Sequence, residues 1–350
     1  MIQVALGIFL VVLLVALLAS AIALGGFPVG AAMRALVGGS IGSWDALLSA
    51  TLVRATPLLL TGLSVAVAFR AGVMNIGAEG QLLVGAAAAT AVGVMSPSLG
   101  AFTLPIELAA AMTAGVAWSA VPAWLRQRFN VTEVISTIMM NFLAIHVVSY
   151  LVRGPLQEPT HIYPQSSALA DVARLPVLIP GTRLHLGFAI AVALSLVLGW
   201  ALRHTAVGFR VRAAGASARA AAEAGRIDVV RLTARVFLAS GAIAGLAGGI
   251  ELSGVTFALY DNLSPGYGYT AIAVALLAAL RPVLVIPSSI VFGALNAGAA
   301  AMQRDTAVPA GYVDFIQALI VLALLAAPHA NARLSSIHRS WGSPSLSSGG

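Results

Sequence analysis

Residues Phe69–Leu82 read F-R-A-G-V-M-N-I-G-A-E-G-Q-L, and long apolar runs flank them on both sides. The stretch combines three glycines with an asparagine, a glutamate and a glutamine. In a soluble protein it would form a loop and a helix start. In a membrane it is costly, because the backbone and the carboxylate both need partners there. The composition of the rest of the chain decides which case applies.

That composition predicts a polytopic, all-α membrane protein. Of the 350 residues, 59% are hydrophobic and 9% are charged, whereas a soluble domain carries about 25% charged residues. Several apolar runs reach the ~20 residues that a helix needs to cross a bilayer.

Residue types that are missing exclude several functions. The chain has no cysteine, which excludes disulfides and thiolate nucleophiles, and all 19 of its basic residues are arginine. A Walker A loop needs a lysine, so this chain is not itself a P-loop ATPase. The six histidines stand at least nine residues apart and lack metal-ligand spacing. In a membrane protein, an excess of arginine indicates which loops face the cytoplasm and is not evidence of nucleic-acid binding.

Hydropathy predicts about ten transmembrane helices. The second span contains Pro57, the seventh carries a stripe of glycines at every fourth position that favours helix packing, and the stretch 25–45 is predicted to be a connection outside the bilayer. The predicted spans are 2–24, 47–69, 78–95, 104–124, 131–152, 184–202, 232–252, a span after the turn-rich residues 254–268 that ends at Leu280, 283–301 and 312–327.

Charge sets the expected orientation. Residues 203–235 hold seven arginines against Glu223 and Asp228, and the positive-inside rule puts this segment in the cytoplasm. The proline-rich stretch 153–183 then forms an external loop, and both termini are cytoplasmic. We expect one transmembrane domain over 1–327, and a disordered cytoplasmic tail over 328–350 that is rich in serine, glycine and proline.

The opening stretch supports two interpretations. In one it is a tight connection between spans, with Asn75 capping the next helix and Glu79 in its first turn, where a negative charge is favoured. In the other it is a helix broken near Gly72–Gly80, whose free backbone groups line a translocation path. Glu79 in apolar sequence is a functional-site candidate, with Arg70 as its candidate partner.

A second candidate site lies within residues 208–232. Ser217 is a favourable N-cap, residues 218–224 favour helix, and Gly225 is a suitable helix end. Such a short helix is unstable alone in water, so it must pack against something. One interpretation is an interfacial helix held on anionic lipid by its arginines. The other is a docking element for a cytoplasmic partner, which the lack of a large apolar face favours.

The sequence resembles permease subunits of bacterial ABC importers of the nucleoside and simple-sugar type, within the branched-chain amino acid and ribose permease superfamily. The resemblance covers almost all of residues 51–327, and its most specific part, N-I-G-A-E-G-Q at 75–81, points to the nucleoside branch. It is carried by the stretch 51–86 and by M-M-N-F-L-A (139–144), S-G-A-I-A-G-L-A-G (240–248), G-Y-G-Y-T-A-I-A-V-A-L-L-A (266–278) and F-G-A-L-N-A-G (292–298).

The resemblance implies a non-enzymatic, pore-forming subunit of the bacterial inner membrane, with two pseudo-repeated halves. Its expected partners are a cytoplasmic ABC ATPase, a second permease subunit of different sequence, an extracytoplasmic substrate-binding lipoprotein and membrane lipid, with no nucleic acid. ATP and Mg would bind the ATPase, and this chain would hold no cofactor and no metal. The family's coupling element, seated in a groove of the ATPase, would correspond to Gly215, Ser217, Arg219, Glu223 and Gly225.

We predict that six polar or aromatic residues line the path: Asn75, Glu79, Gln81, Asn141, Tyr267 and Tyr269. Amides and aromatic rings suit the hydroxyls and flat base of a nucleoside. A tyrosine can instead anchor a helix at the membrane surface, and Asn141 can instead link two helices. Tyr269-Thr270 and Arg281-Pro282-Val283 depart from the family pattern, which leaves the substrate open.

Three alternatives stand beside nucleoside import. The same architecture can import simple sugars or branched-chain amino acids. An ion-coupled secondary transporter would use Glu79 as a proton or ion site and would need no ATPase. A membrane-embedded enzyme is disfavoured, because no nucleophile–base or metal constellation is present in the sequence.

Overall fold

The structure is a computed structural model that describes residues 19–20, 22–223, 225–306 and 308–309, together with Tyr312, Phe315, Ala318 and Leu322. The predicted spans 2–24 and 312–327 lie largely outside these residues, and the predicted tail 328–350 lies wholly outside them. The chain divides into a smaller unit, Met1–Gly39 with Gly298–Gly350, and a larger unit, Ser40–Ala297. Each unit is described by itself.

The described chain is helical, which confirms the predicted fold class. Within the described residues, seven helical segments are long and apolar enough to cross a membrane, and each matches a predicted span to within six residues at either end. They are Ala46–Arg70, Ala78–Met95, Ser98–Phe129, Glu133–Arg153, Leu186–His204, Val229–Thr256 and Pro282–Thr306.

Eleven α-helices are named below in chain order. Two of the spans also contain π-helical turns, Ala46–Thr51 before α2 and Leu252–Thr256 after α9. The α-helices are α1 (Val29–Ser40), α2 (Leu52–Arg70), α3 (Ala78–Met95), α4 (Thr103–Phe129), α5 (Glu133–Arg153), α6 (Leu186–His204), α7 (Ala206–Ala216), α8 (Ala218–Glu223), α9 (Val229–Glu251), α10 (Tyr267–Leu277) and α11 (Pro282–Thr306).

The smaller unit contains a helix that the sequence interpretation missed. Residues 25–45 were predicted to be a glycine-rich connection, but α1 occupies Val29–Ser40. Alanine, methionine, arginine and leucine favour helix strongly enough to offset the glycines. In this unit Gly298 approaches Leu36 O so closely that a Cβ would overlap it.

Helix α9 is the centre of the larger unit, packed against α2, α3 and α4. Its predicted glycine stripe is a packing surface. In the stripe, a Cβ on Gly241 would overlap Gly115 O and a Cβ on Gly245 would overlap Ala111 O, both of α4. Gly248, beside the stripe, approaches Leu82 O of α3 in the same way. Small residues let the helix backbones approach this closely.

The helices of the larger unit differ in how far they are buried. Most of α2, α3 and α9 is buried, whereas most of α4, α5 and α6 is not. Large apolar side chains on these outer helices are exposed, among them Trp124, Phe142 and Trp200. Their outward faces are therefore available to lipid or to another chain.

The eighth predicted span is shorter than expected. Helix α10 has 11 residues and is therefore ~16 Å long, about half of the ~30 Å hydrocarbon core. The sequence stays apolar beyond it, but Ala279 and Leu280 adopt left-handed φ values of 49° and 56°. These residues end the helix, so α10 does not cross a membrane by itself.

The polar stretch 153–183 contains no long helix, as predicted. Beyond α5 it has one 3-10 turn, Asp171–Ala173. Its backbone bonds to the chain that follows α9: Ser166 N donates to Leu259 O at 2.7 Å, and Leu175 N donates to Ser253 O at 2.9 Å. The loop therefore packs over the end of α9.

Candidate functional site

Helix α2 ends in a Schellman turn at the opening motif. Gly72 N donates to Phe69 O at 3.0 Å, and Val73 N donates to Ala68 O at 3.1 Å. Gly72 has φ of 80°, the left-handed conformation that this turn requires and that glycine adopts without a Cβ penalty.

After this turn the chain runs back alongside α2. Ser64, six residues before the end of α2, donates from Oγ to Ser240 O at 2.7 Å. Asn75, five residues beyond that end, donates from Nδ2 to Ser240 Oγ at 2.9 Å. Both residues thus lie at the same level of α9, and α3 begins inside the bundle rather than at its end. We call residues 71–77 the re-entrant segment.

An amide pair fixes the re-entrant segment to the first turn of α3. Asn75 Nδ2 donates to Gln81 Oε1 at 2.9 Å, and Gln81 Nε2 donates to Asn75 Oδ1 at 3.2 Å. Gly77 N also donates to Asn75 Oδ1, at 2.9 Å. Asn75 and Gln81 are 0% and 1% exposed, so the Asn75 amide meets all of its hydrogen-bonding needs inside the protein.

Asn141 of α5 completes the frame from the other side. It accepts at Oδ1 from Gly80 N at 2.8 Å and donates from Nδ2 to Ile76 O at 2.9 Å. The side chain is fully buried. Asn141 therefore links α5 to both ends of the break. The sequence allowed such a link between helices as an alternative to a place in the path.

Glu79 joins the break to the short helix α10. Gly268 N donates to Glu79 Oε2 at 2.6 Å, and Ser264 Oγ accepts from Tyr267 N at 3.0 Å in the same turn. A Cβ on Gly268 would overlap the backbone of Glu79, so glycine is required at this contact. The carboxyl group thus lies at the positive end of the α10 dipole, where an anion is favoured.

Two details of the predicted motif are corrected. Arg70 is not the partner of Glu79; it donates from Nη1 to Leu280 O at 3.3 Å. The chain turns back after Arg70, so α3 begins at a different level of the bundle from the end of α2. Asn75 does not cap α3 in the usual way: the N-cap is Gly77, which receives no side-chain cap, and Asn75 accepts from Gly77 N itself.

The two tyrosines differ in accessibility. Tyr267 is 8% exposed and Tyr269 is 41% exposed, both in the first turn of α10. Of the six predicted path residues, Tyr269 is thus the one whose ring can meet a ligand without rearrangement. The other five form a buried group around the break.

Several other polar residues of this region were not predicted from the sequence. Buried Ser240 and partly buried Ser264 carry hydrogen bonds beside the break, but a serine in apolar sequence gives no distinctive signal. Glu107 and Glu251 are 0% and 4% exposed. Like Glu79, they are carboxylates in apolar sequence and are functional-site candidates for the same reason. Glu107 Oε1 lies 2.6 Å from Ser253 Oγ, and the charges of Arg54 and Arg183 act on Glu251.

The predicted coupling segment forms a helical hairpin, α7 and α8. Ser217 Oγ accepts from Ala220 N at 3.2 Å and so caps α8 as predicted. Helix α8 ends at Glu223, Ala224 lies outside the described residues, and the left-handed residue is Arg226 (φ 47°) rather than Gly225. Helix α7 was not predicted; Thr205 caps it by accepting from Gly208 N at 3.0 Å.

The coupling hairpin presents an ion pair to the outside. Arg219 Nε lies 2.8 Å from Glu223 Oε1, with the side chains 88% and 66% exposed. An ion pair this exposed adds little stability. It is accessible to a second molecule.

The coupling hairpin also touches the re-entrant segment. A Cβ on Gly215 would overlap Arg70 O, and a Cβ on Gly72 would lie 3.5 Å from Gly215 Cα. Backbone thus packs on backbone at this point, with no side chain between α7 and the turn that ends α2.

The six predicted path residues line neither of two cavities in the larger unit. One, of about 310 Å³, lies between Val73 and the ends of α4, α5 and α9. The other, of about 560 Å³, lies beside Arg70 and Arg281. Within the described residues, no three histidine or acidic side chains are grouped to hold a metal ion.

Comparisons with known proteins place the chain in a family. Residues 47–325 match the branched-chain amino acid transport system permease component. A glucose ABC transporter permease protein of Haloferax volcanii is 39% identical over 290 residues, which cover 79% of this chain and 76% of the relative. No solved structure is significantly similar.

Two further relatives are permeases of the same class. A guanosine ABC transporter permease protein of Bacillus subtilis is 38% identical over 276 residues, 78% of this chain and 79% of the relative. A nucleoside ABC transporter permease protein of Lactococcus lactis is 27% identical over 281 residues, 77% of each chain. Together with the helical fold, these matches show that the chain belongs to the branched-chain amino acid transport system permease family and is a multi-pass membrane permease of an ABC importer.

Proposed function

We propose that this chain, with a second permease subunit of different sequence, forms the membrane path of an ATP-driven importer of nucleosides. Two of the relatives above are named for guanosine or nucleoside transport. The half-exposed ring of Tyr269 suits stacking against a flat base.

The observation that carries this proposal is the backbone contact of Gly215 with Arg70 and Gly72. An ATPase bound to the coupling hairpin would push directly on the turn that ends α2. The re-entrant segment continues from that turn to Asn75 and Glu79. Movement of the hairpin would therefore reach the inside of the bundle through rigid backbone rather than through flexible side chains.

The energy source would be a separate cytoplasmic ABC ATPase that holds ATP and Mg, because this chain has no lysine with which to form a Walker A loop. The coupling residues would be Gly215, Ser217, Arg219, Glu223 and Gly225. A substrate-binding lipoprotein would deliver the substrate at the outer face, near the loop 153–183. The excess of arginine over 203–235 supports an inner-membrane orientation with both termini in the cytoplasm.

The path residues would divide into two roles. Asn75, Glu79, Gln81 and Asn141 would hold the re-entrant segment as a gate, since their hydrogen bonds are satisfied by the protein. Tyr267 and Tyr269, at the start of α10, would line the path beside that gate. Opening would require the Glu79 carboxyl group to leave Gly268 N or to carry α10 with it.

Glucose is a second candidate substrate. The glucose permease relative is 39% identical over most of this chain, and a sugar presents hydroxyls similar to those of a nucleoside ribose. Competition distinguishes the two: guanosine should displace a transported nucleoside, and excess glucose should not.

Uptake into proteoliposomes tests the function. The permease pair is reconstituted with its ATPase and binding protein, and labelled guanosine, glucose and leucine are offered with and without ATP. We expect guanosine uptake that requires ATP. Uptake by the permease alone under an ion gradient would contradict the ABC mechanism, and ATP-driven uptake of glucose alone would contradict the nucleoside assignment.

Docking is tested with two variants and matched controls. Gly215→Ala and Arg219→Ala should weaken co-purification of the ATPase or abolish uptake. Gly38→Ala, whose Cβ would meet no atom within 4 Å, and Arg304→Ala, which removes another exposed ion pair, should change neither. Unchanged co-purification and uptake in both test variants would argue against the coupling role.

A further inference from the structure

We propose that the larger unit contains a binding site for the phosphate headgroup of an anionic phospholipid. The site is the cavity of about 560 Å³ between the ends of α2, α6 and α7 and the start of α11. Four arginines line it, one from each of these places: Arg70, Arg203, Arg212 and Arg281.

The four guanidinium groups have no acidic counterpart. No aspartate or glutamate lines the cavity, and none of the four forms an ion pair within the described part of the chain. The nearby acids, Glu223 and Asp228, pair with other arginines. Arg212 and Arg281 instead act on Arg70 as like charges. A phosphate would relieve this repulsion and match the planar guanidinium donors.

The other wall of the cavity is apolar and open. Val283 and Leu284 in this wall are 45% and 42% exposed. The lining is completed by Gly199, Leu202, Pro282, Val283 and Leu284. Trp200, next to Gly199 in α6, is 61% exposed. All of these belong to the last turns or first turns of apolar spanning helices. A ligand here needs a charged head and an apolar tail.

This combination favours a phospholipid over a soluble anion or an acidic protein. A soluble phosphate would leave the apolar wall in water, and an acidic protein surface would bring no apolar chain to cover that wall. Basic pockets between spanning helices on the cytoplasmic side are suited to anionic headgroups. The inference rests on the proposed cytoplasmic location of residues 203–235, but not on the substrate or on the ATPase.

Tryptophan quenching by brominated lipid tests the site on the full chain alone. The protein is reconstituted in phosphatidylcholine bilayers that carry a rising fraction of brominated phosphatidylglycerol or, in parallel, brominated phosphatidylcholine. The signal of Trp200 is obtained by subtracting the response of Trp200→Phe. We expect Trp200 to be quenched at a lower fraction of the phosphatidylglycerol than of the phosphatidylcholine.

Charge variants then test the residues. Arg212→Gln and Arg281→Gln should each reduce the preference for phosphatidylglycerol by roughly fivefold, as expected for one surface arginine. Arg128→Gln removes an exposed arginine outside the cavity and should leave the preference unchanged. Equal quenching by brominated phosphatidylcholine in all variants shows that the fold is intact.

Three results would overturn the site. Wild-type protein could show no preference, or all three variants could lose it equally, which would indicate general surface charge. Alternatively, Arg212→Gln and Arg281→Gln could keep the lipid preference and lose the ATPase, which would make the arginines a protein-docking surface. Failure of guanosine uptake with an intact lipid preference would count against the proposed transport function and not against this site.

Discussion

At the scale of single residues, Asn75 shows how a polar group is kept inside an apolar bundle. Its two amide protons go to Gln81 Oε1 and Ser240 Oγ, and its carbonyl oxygen accepts from Gly77 N and Gln81 Nε2. A buried amide with all of its hydrogen bonds satisfied fixes one backbone conformation. The residue that resembles a ligand-binding group in the sequence thus serves first to position the re-entrant segment.

Asn75→Ala should therefore destabilise the protein. The change leaves Gln81 and Gly77 N without partners in the interior, which costs about 2 to 4 kcal/mol. We expect a lower thermal unfolding temperature in detergent and loss of guanosine uptake. Gln127→Ala removes an exposed amide and is the control. An Asn75→Ala protein as stable as this control would show that the amide pair is not structural.

Glu107 allows a second prediction from its contact with Ser253. Ser253 Oγ lies 2.6 Å from Glu107 Oε1 and 2.7 Å from Gly249 O, and both oxygens can accept its one proton. Glu107→Gln keeps an acceptor at Oε1, so it should remain within about 1 kcal/mol of wild-type stability.

The contrasting variant is Glu107→Leu, which removes the polar partner of Ser253 Oγ. Unfolding in detergent should show it to be less stable than Glu107→Gln. The reverse order, with Gln less stable than Leu, would mean that the contact between Glu107 and Ser253 does not stabilise the protein.

His185, just before α6, predicts a dependence on pH. The side chain is 1% exposed, neither ring nitrogen has a partner in the described residues, and burial lowers its pKa to about 4, with Arg183 adding to the effect. The unfolded chain binds a proton below about pH 6.5 and the folded protein does not. Stability is therefore complete above pH 6.5 and falls as the pH drops toward 4.

Thermal unfolding at pH 7.5 and pH 5.0 measures this effect. Wild-type protein should lose about 2 kcal/mol from His185 over this interval. His185→Phe keeps a ring, loses no hydrogen bond and cannot be protonated, so its loss between the two pH values should be smaller by that amount. Identical losses in both proteins would show that His185 does not titrate on unfolding.

At the scale of helices, close packing of α9 on α3 and α4 holds the larger unit together. In Gly245→Ala the new Cβ would overlap Ala111 O, and overpacking of this kind costs typically 1 to 3 kcal/mol. In Gly38→Ala the Cβ meets open space, so the change should be neutral or stabilising. Thermal unfolding of the two variants checks the contrast, and equal stability would contradict the packing role of the stripe.

Hydropathy predicted the seven spanning segments of the described residues, because each is a long apolar run that is visible in the local sequence. The end of α10 could not be predicted in this way, since the sequence remains apolar up to Leu280 and only the left-handed φ values of Ala279 and Leu280 stop the helix. Helix α1 was missed because its glycines were read as loop residues. In both cases backbone geometry and packing, rather than composition, decide the outcome.

The break between α2 and α3 was predicted, but its arrangement was not, and a role of its residues in a translocation path stays a prediction. Glycine density and the polar side chains of 69–82 marked the break correctly. The return of the chain to the level of Ser64 depends on Ser240, which is 165 positions from Asn75 and carries no local signal. The partner of Glu79 is likewise distant: it is Gly268 rather than the nearby Arg70.

At the scale of the whole molecule, the larger unit connects the exposed coupling hairpin to its buried centre. The coupling hairpin contacts the end of α2, the re-entrant segment returns from there into the bundle, and Glu79 then bonds the start of α10. The central claim is that these parts move as one when an ATPase bound to the hairpin binds ATP. An importer whose ATPase is a separate chain, as proposed above, would need such a connection.

Thiol labelling tests that claim most directly, because the chain has no cysteine. Met74, in the re-entrant segment, is 53% exposed, and Met95, at the far end of α3, is 76% exposed. Met74→Cys and Met95→Cys are each assembled with the ATPase and confirmed to import guanosine, and maleimide labelling is then timed with and without ATP. The account predicts that ATP changes the labelling rate of Met74→Cys severalfold and leaves that of Met95→Cys unchanged. Equal rates for Met74→Cys with and without ATP, in complexes that import, would contradict it.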